Sequence, residues 1–469
     1  MSNKYIATAI PYVNGQPHLG HALDYLLADV YTRYQTGQGN TVRFQAGTDE
    51  HGNKVFAKAA AENTPIQDYV DANAKKFQDF IHLLDVEYTD FIRTTSPDHQ
   101  RRCQEIWRKL ESHIYKGSYE GWYCEGCENF VSDKDHQETG GTCPDHAKAY
   151  IRLSEDNYYL RISDFKDRIK AAIASDEMRI LPEFRKHEFL NLLDEMPDVS
   201  ISRPKKQLTW GIPVPGDSSQ IMYVWMDALC NYITVLGYPD TDISDWWPAS
   251  VQVIGKDILR FHAGIWPTIL LGLDLPLPKI LLTHGFITVD GAKMSKSIGN
   301  VVDPLDVLDK HGTDAFRYFF LRHVNTFEDS DFTWDKFESA YSGELANDLG
   351  NLVQRLATMC AKYSSTSSGQ TKEHPQFHTL MQDLQFSAAF DYIWEQIQAL
   401  NKAIDDTKPW ALAKNGSPDQ LQSTMTSLTD DLLNIARILS PFLPATSQKI
   451  LDIFTSSPIT PPETPLFPK

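Results

Sequence analysis

Strand-like and helical segments alternate twice in this chain of 469 residues, and a long stretch of different texture separates the two blocks. The first block ends near residue 115. Strand-like sequence then resumes at Val251–Gly255 and Ile280–His284. Strands that alternate with helices form a parallel sheet with helices on both faces. We therefore predict an α/β fold with a Rossmann-type doubly wound parallel sheet and an insertion between its halves. The segments of the first block are strand Tyr5–Ile10, the helix from Leu19, strand Val42–Ala46 and helix Ile66–Leu84.

The periodicity becomes purely helical from Leu345. Between Phe386 and Ile404, apolar residues recur every three or four positions, which is typical of a bundle helix. An all-α helical bundle should therefore follow the sheet. The predicted units are 1–115, first catalytic half; 116–225, connective insertion with a zinc knuckle; 226–292, second catalytic half; 293–344, lysine loop and connecting module; 345–469, α-helical domain.

The insertion contains a metal-binding pattern. Cys124-x-x-Cys127 and Cys143-x-x-His146 are separated by fifteen residues. This spacing indicates one tetrahedral zinc ion held by three thiolates and an imidazole. With no position left open, the zinc should be structural. Two alternatives are that His136 replaces His146 as fourth ligand, and that the thiols bind no metal.

Two short motifs can each supply half of a triphosphate site. His18 and His21 lie at a predicted strand-to-helix turn, where unpaired N–H groups and the positive end of the helix attract anions. Gly20 would let a nucleotide approach the backbone. Lys293 and Lys296 lie in Lys-Met-Ser-Lys-Ser, after a loop, and their flexible charges suit phosphate. Either motif alone is more typical of ordinary solvated side chains, so the prediction depends on their combination.

Together, and in this order, the two motifs resemble the signatures of class I aminoacyl-tRNA synthetases. Further segments resemble the methionyl-tRNA synthetase family and follow its order along nearly the whole chain. These segments are Ala9–Gly15, Gly47–Gly52, Trp210–Pro215, Tyr223–Leu229, Gly255–Asp257 and Phe261–His262. The single knuckle is similar to that of the one-zinc branch of the family.

The resemblance implies that ATP, accompanied by Mg²⁺, binds at the histidines and lysines, with Gly255 and Asp257 beside the ribose. His18, His21, Lys293 and Lys296 would be catalytic, with Lys296 making the strongest contact to the transition state. Catalysis would then depend on positioning and on charge, without a protein nucleophile. An alternative for Asp257 is a helix N-cap before Ile258.

The resemblance also implies a methionine pocket in which Asp49 binds the ammonium and aromatic side chains enclose the thioether. Some members of the family carry proline where this chain has Leu229, so the pocket floor differs there. Without the resemblance, Trp225 and Tyr232 would be assigned to the core. The implied pocket residues are Ile10, Tyr12, Asp49, Trp225, Ala228, Leu229, Tyr232 and His262.

Three residues of the helical domain match the anticodon readers of the family. Asn351 and Arg355 are four positions apart, on one helical face, and could bond base edges. Trp410 follows Lys408-Pro409 and could stack on a base. The alternatives are an ordinary helix surface for the first two residues and a core aromatic for Trp410.

Composition limits the other functions. The net charge of −18 disfavours a protein that coats nucleic acid nonspecifically. Six cysteines in a chain of this length do not form a disulfide framework. No apolar segment resembles a membrane span, and the first thirty residues contain no Arg, unlike a transit peptide. We therefore expect a cytoplasmic protein. No appended tRNA-binding and dimerisation domain of the OB type is recognisable, so a monomer is expected.

The sequence thus predicts ATP-dependent attachment of methionine to tRNA(Met), including the initiator tRNA, through a methionyl-adenylate, with release of AMP and pyrophosphate. Two rival functions remain. A nucleotidylyltransferase would share the histidine and lysine motifs but not the tRNA step. A noncatalytic RNA-binding paralogue would have lost the catalytic residues, which this chain retains.

Overall fold

The computed structural model describes residues 2–126, 129–145, 147–289, 291–293 and 302–468. The first part of the chain forms three parallel strands and the helices between them. Within α1, Leu23, Leu26 and Val30 are buried at helical spacing, which explains how this helix packs on the sheet. The elements are β1 (Asn3–Thr8), α1 (Leu19–Gly37), β2 (Thr41–Thr48), α2 (Asn53–Ala61), α3 (Ile66–Leu83), β3 (Asp90–Arg93) and α4 (Pro97–Lys109).

The next segment builds two small antiparallel sheets and also contributes one strand to the main sheet. Its elements are β4 (Ile114–Cys124), β5 (Asn129–Val131), α5 (Asp133–Glu138), β6 (Ile151–Leu160), α6 (Lys166–Ala174), β7 (Arg179–Leu181), α7 (Glu183–Glu195), β8 (Val199–Ser200), β9 (Ser202–Pro204), β10 (Pro213–Val214) and β11 (Asp217–Met222). The small sheets have the orders β5-β4-β6-β8 and β10-β11-β9.

The main sheet is completed by α8 (Val224–Thr234), β12 (Val251–Gly255), α9 (Trp266–Gly272) and β13 (Ile280–His284). Its strand order is β3-β2-β1-β12-β13-β7, and all of its pairs are parallel. The chain runs outward from β1 in both directions, so a topological switch point lies between β1 and β12, where ligands bind in such folds. The predicted doubly wound sheet is confirmed.

The strand β7 was not anticipated as part of this sheet. It pairs with β13 through Ile180 and Leu281, although it lies in the range that the sequence analysis assigned to the insertion. Only three residues long, it carries too little periodic signal to reveal its partner from sequence. The segment 116–225 therefore contains both the peripheral sheets and an edge strand of the catalytic sheet.

The main sheet buries a separate core on each face. Side chains of β1 alternate between the two cores, with Ile6 on the side of α1, and Tyr5 and Ala7 on the side of α8. This alternation is the period of two expected for a strand. The core on the side of α8 contains Tyr232 of the predicted methionine pocket, and Trp225 packs against it, whereas Tyr12 packs against a separate cluster around Val13 and Phe77.

A connecting module follows, comprising β14 (Ile287–Val289), β15 (Ala292–Lys293), α10 (Pro304–His311), α11 (Thr313–Arg322), β16 (Ser330–Phe332) and α12 (Trp334–Ala340). A π-helical segment, Tyr341–Gly350, leads into the helical domain. The helices of that domain are α13 (Asn351–Tyr363), α14 (Pro375–Gln382), α15 (Phe386–Thr407), α16 (Pro409–Lys414), α17 (Pro418–Leu439) and α18 (Pro444–Thr455). The predicted apolar stripe lies on α15 and is buried, which confirms the bundle. Among the described residues, no helix is both long enough and apolar enough to cross a bilayer.

Candidate active site

His18 and His21 lie at the start of α1, beyond the carboxyl end of β1, and their rings stack with centroids 3.6 Å apart. The Nδ1 atom of His18 accepts hydrogen bonds from the N–H groups of Gly20 (3.1 Å) and His21 (3.4 Å). In return, Nδ1 of His21 accepts a bond of 3.2 Å from the N–H of His18. Because both Nδ1 atoms accept, a neutral ring must carry its proton on Nε2. The two imidazoles therefore present N–H donors suited to phosphate oxygens.

This geometry changes the expected role of Gly20. The sequence analysis predicted unpaired N–H groups at the start of the helix, but His18 occupies those of Gly20 and His21. A Cβ at Gly20 would lie 3.0 Å from Cε1 of His18. The glycine thus makes room for the ring of His18 above the helix. The N–H groups of Gly20 and His21 are occupied, so the two imidazoles face the site in their place.

Desolvation favours the uncharged form of both imidazoles. Desolvation lowers the pKa of His18 below 6.5, and it lowers the pKa of His21 further, with the nearby His18 and His284 adding to the shift. His284, at the end of β13, behaves differently. Burial would lower its pKa, but Asp24, 2.8 Å from its Nε2, raises the pKa overall. Neutral donors at α1 thus lie near a histidine that favours a positive charge.

The second group of site residues forms a buried cluster of aromatic side chains beside the sheet. The hydroxyl of Tyr232 lies 2.8 Å from Nε2 of His262, and Nδ1 of His262 lies 3.0 Å from the carbonyl oxygen of Ile258. Burial lowers the pKa of His262 to about 4, so the ring is neutral at pH 7. Nδ1–H must donate to the carbonyl, and Nε2 accepts from Tyr232.

The other residues of the predicted methionine pocket lie on α8 and in the segments that follow β1 and β2. Trp225 is half-buried and stacks on Phe261, with centroids 3.9 Å apart and an interplanar angle of 8°. Ala228 and Leu229 are buried on the same helix as Tyr232. Ile10 is half-buried above Gly47, where a Cβ would lie 3.0 Å from its Cγ2. Tyr12 pairs with Asp49 in a parallel bridge.

Asp49 is buried, and backbone bonds hold it beside the chain that follows β1. Its N–H donates to the carbonyl of Pro11 (2.8 Å), and its own carbonyl accepts from Val13 (3.1 Å). The backbone of Asp49 therefore has a fixed position at the carboxyl edge of the sheet, and Oδ1 of its carboxylate accepts from the N–H of His51 (3.4 Å).

Gly255 ends β12, and Asp257 lies in the single 3₁₀ turn, Lys256–Ile258, that follows. A Cβ on Gly255 would lie 2.9 Å from Oδ1 of Asp257, so glycine is needed where the carboxylate turns back. Asp257 lies inside this turn, and Gly255 is the residue at the N-cap position, without a side-chain cap. The alternative of an N-cap role for Asp257 is therefore wrong.

The lysine motif begins at the end of a hairpin. The backbone of Lys293, in β15, pairs with Thr288 of β14. Oδ1 of Asp331 accepts from the N–H of Gly291 (2.8 Å) and from Oγ1 of Thr288 (2.9 Å), which fixes this hairpin. Lys296 lies outside the described residues, so its role stays a prediction.

The structure describes two of the four predicted zinc ligands. Cys124 and Cys143 are buried in one small cluster with Tyr150, and neither forms a disulfide. Cys127 and His146 lie outside the described residues. Among the residues that are described, no group of three His, Cys, Asp or Glu side chains is arranged to hold a metal. The alternative ligand His136 stacks on Trp122, with centroids 3.8 Å apart.

In the helical domain the structure brings two of the three predicted anticodon residues together. The guanidinium of Arg355 lies 5.3 Å from the ring centroid of Trp410 and 2.6 Å from Oδ1 of Asp405. Trp410 is 43% exposed, so the alternative of a core aromatic is wrong. Asn351 is exposed one turn before Arg355 on α13. The three residues thus occupy one end of the bundle.

The sequence analysis missed several residues that organise the site. His284 and Asp24 form a pair that no local spacing reveals, because they are 260 positions apart. Phe261 and His51 lie within quoted segments, but nothing in the sequence indicates their contacts with Trp225 and Asp227. Such pairs need the fold before they can be recognised.

Comparisons with known proteins agree with this arrangement. The family described as tRNA synthetases class I (M) matches residues 4–153 and 145–357. The methionine–tRNA ligase of Listeria monocytogenes is 40% identical, over 95% of this chain and 72% of that protein. That of Caldanaerobacter subterraneus is 39% identical, over 96% of this chain and 73% of that protein.

A solved structure extends the similarity to the whole fold. Mycobacterium tuberculosis methionyl-tRNA synthetase, in complex with methionyl-adenylate, superposes with a TM-score of 0.92 at 33% identity, and each chain is covered completely. The free form of that enzyme gives a TM-score of 0.84 at 30% identity. From its sequence, its fold and the arrangement of its site, this chain belongs to the methionyl-tRNA synthetase family of class I aminoacyl-tRNA synthetases.

Proposed function

We propose that this chain activates methionine with ATP at the switch point of the sheet and transfers it to tRNA(Met), including the initiator tRNA. A carboxylate oxygen of methionine forms a bond to the α-phosphorus while the bond to the pyrophosphate oxygen breaks. The tRNA hydroxyl then displaces AMP. The single observation that carries this proposal is the pair of stacked imidazoles at the start of α1, beyond the carboxyl end of β1.

The first half of the site binds ATP. The Nε2–H groups of His18 and His21 donate to phosphate oxygens, and Gly20 keeps these rings in place. Lys293 and Lys296 neutralise the charge that grows as pyrophosphate leaves. Gly255 and Asp257 bind the ribose at the end of β12. Mg²⁺ enters with ATP as a counter-ion of its phosphates.

The second half selects the amino acid. Asp49 binds the ammonium, while Ile10, Tyr12 and Trp225 surround the side chain. Ala228 and Leu229 line the wall of α8, and the Tyr232–His262 pair closes the pocket with a neutral polar end. Because apolar pockets separate ligands by only about 1–3 kcal/mol per methylene, aromatic contacts to sulfur contribute to selection.

The helical domain reads the anticodon through Asn351, Arg355 and Trp410. The exposed indole of Trp410 offers a face for base stacking, and the neighbouring guanidinium of Arg355 can bond a base edge. The knuckle of Cys124, Cys127, Cys143 and His146 binds one structural zinc. The burial of Cys124 and Cys143 in one small cluster supports this ligand set. We further propose a monomer in the cytoplasm, which sedimentation and cell fractionation would check.

The test is ATP–pyrophosphate exchange with each of the twenty amino acids, followed by charging of tRNA(Met). Exchange that depends on methionine, together with charging, supports the proposal. Exchange without charging would instead favour a nucleotidyl-transfer function. The absence of exchange with any amino acid would favour a noncatalytic RNA-binding role.

A further inference from the structure

A buried hydrogen-bonded pair joins two segments that carry residues of the proposed methionine pocket. Nδ1 of His51 lies 2.7 Å from Oδ2 of Asp227. His51 follows β2, two positions after Asp49, and Asp227 lies in the first turn of α8, which carries Trp225 and Tyr232. The pair thus connects the segment that would bind the ammonium to the helix that would bind the thioether.

Other hydrogen bonds, besides that between His51 and Asp227, hold the segment 49–51 in place. The carboxylate of Glu50 is buried and accepts from Arg93 at 2.6 Å and 2.9 Å, and also from Thr48 at 2.7 Å. The indole N–H of Trp210 donates to the carbonyl oxygen of Glu50 at 2.7 Å. These bonds hold the segment 49–51 as one unit. The bond between His51 and Asp227 then sets the position of that unit relative to α8.

His51 is the main group that compensates the buried Asp227, and the backbone N–H of Ala228 makes a smaller contribution. It is fully buried, and its Oδ1 has no hydrogen-bond partner in the part of the chain that the structure describes. Burial raises the pKa of Asp227, and His51 opposes that shift. Of the other basic groups nearby, His99 is neutral because burial lowers its pKa to about 3. Arg102 is bonded to Asp240 and to the carbonyl of Thr234.

We propose that His51 and Asp227 are positioning residues for amino-acid selection, which hold the ammonium-binding carboxylate at a fixed distance from the aromatic wall. This inference rests on the proposed function of the pocket. Neither residue of the pair has a contact with His18, His21, Gly255 or Asp257, the described part of the proposed ATP site, so its loss should affect the binding of methionine and leave that of ATP unchanged.

The experiment compares Asp227→Ala with Asp227→Asn by pyrophosphate exchange. Misplacement by about 1 Å can cost on the order of a hundredfold, so Asp227→Ala should raise the KM for methionine about ten- to a hundredfold. Asp227→Asn retains an acceptor for His51 and should stay within a few-fold of the parent. The KM for ATP should not change in either variant. Relative activity with norleucine and ethionine should rise in Asp227→Ala, because the distance between carboxylate and wall is no longer fixed.

Asp29→Ala is the matched control. Asp29 is an equally buried carboxylate, and it is paired with Arg317 at 2.6 Å in the core on the opposite face of the sheet. The same methionine-specific pattern in Asp29→Ala would show a general loss of stability and would overturn the proposal. An equal rise in the KM for ATP, or no rescue by Asp227→Asn, would do the same.

If Asp227→Ala does not fold, the experiment uses His51→Leu instead. Without its histidine partner, the carboxylate of Asp227 can take up a proton, so that no unpaired charge stays buried. Folded His51→Leu with an unchanged KM for methionine would overturn the inference. Asp49→Asn separates this outcome from failure of the proposed function. If Asp49→Asn leaves the KM for methionine unchanged, the pocket assignment itself is wrong. If Asp49→Asn raises it and the His51 and Asp227 variants do not, only the positioning role is wrong.

Discussion

In His18, His21 and His262, the hydrogen bonds of the ring decide which nitrogen carries the proton. In the two histidines of α1, the accepting atom is Nδ1, so the donor Nε2–H faces outward. In His262, Nδ1–H donates a hydrogen bond to the carbonyl oxygen of Ile258, and Nε2 accepts a hydrogen bond from the hydroxyl of Tyr232. Histidine is therefore the proposed donor to phosphate at the start of α1, whereas His262 accepts a hydrogen bond from Tyr232.

Replacing Lys296 with Ala should slow adenylate formation far more than it weakens methionine binding. Its charge is needed most in the transition state, as pyrophosphate departs, and one such contact is typically worth about 3 kcal/mol. Exchange kinetics and the KM for methionine provide the measurement. Lys310→Ala is the control, because Lys310 is a lysine of the connecting module paired with Glu338. Exchange within a few-fold of the parent would remove Lys296 from its assigned role.

The stability of the chain should depend on pH through His262. Its folded pKa of about 4 is below the ordinary value of 6.5, so the unfolded state binds more protons between these values. The free energy of unfolding therefore falls as the pH falls, by about 2 kcal/mol from this group between pH 7 and pH 5. Urea unfolding at both pH values checks this, with His262→Gln as the reference. Equal pH dependence in parent and variant would contradict the depressed pKa.

At the scale of helices and strands, long periodic segments could be predicted and short ones could not. Strands β12 and β13 begin and end where the sequence analysis placed them, and the predicted helix at Ile66 is α3. Strand β7 joins the sheet through three residues, so only its tertiary partner β13 defines it. The capping of α1 by His18 was also hidden, because histidine is not among the usual N-cap residues.

The insertion should contain one zinc ion per chain, and Cys124→Ser should lower both the metal content and the stability of the insertion. Because metal binding drives the folding of such knuckles, the loss should remain local and the rest of the fold should persist. Metal analysis and limited proteolysis measure these effects. Cys360→Ser is the control, since Cys360 lies buried in α13 beside Thr429, outside the insertion. Two zinc ions per chain, or none in fresh protein, would contradict a single closed site.

At the scale of the whole molecule, one arginine links three parts of the chain. Arg317 of α11 is fully buried and bonds Asp29 of α1, as well as the carbonyl oxygens of Leu84 and Phe442. It therefore ties the helix that carries His18 to the turn between α17 and α18. Such long-range contacts could not be predicted from sequence, whereas the succession of a doubly wound parallel sheet and a helical bundle along the chain could, because the pattern of apolar residues changes between the two.

The helical domain is remote in sequence from the residues of the proposed adenylate site, which predicts how variants of the proposed anticodon-binding residues behave. Trp410→Ala should weaken charging of tRNA(Met) while leaving pyrophosphate exchange nearly unchanged. Base–aromatic stacking is worth about 1–3 kcal/mol, so charging efficiency should fall roughly ten- to a hundredfold. Phe184→Ala is the control, because Phe184 is 42% exposed, close to the 43% of Trp410, and lies on α7 outside the bundle. An equal loss in the control would remove the indole from tRNA binding.

Arg355→Ala should weaken charging similarly and also reduce discrimination between anticodons. A base-edge contact carries sequence information, whereas a phosphate contact does not. The structure places the guanidinium between the ring of Trp410 and the carboxylate of Asp405, so its orientation is fixed before a base arrives. Each variant should be compared on the parent tRNA and on one with an altered anticodon. If Arg355→Ala discriminates between the two as well as the parent enzyme, Arg355 contacts the backbone, and base reading must belong to other residues of the bundle.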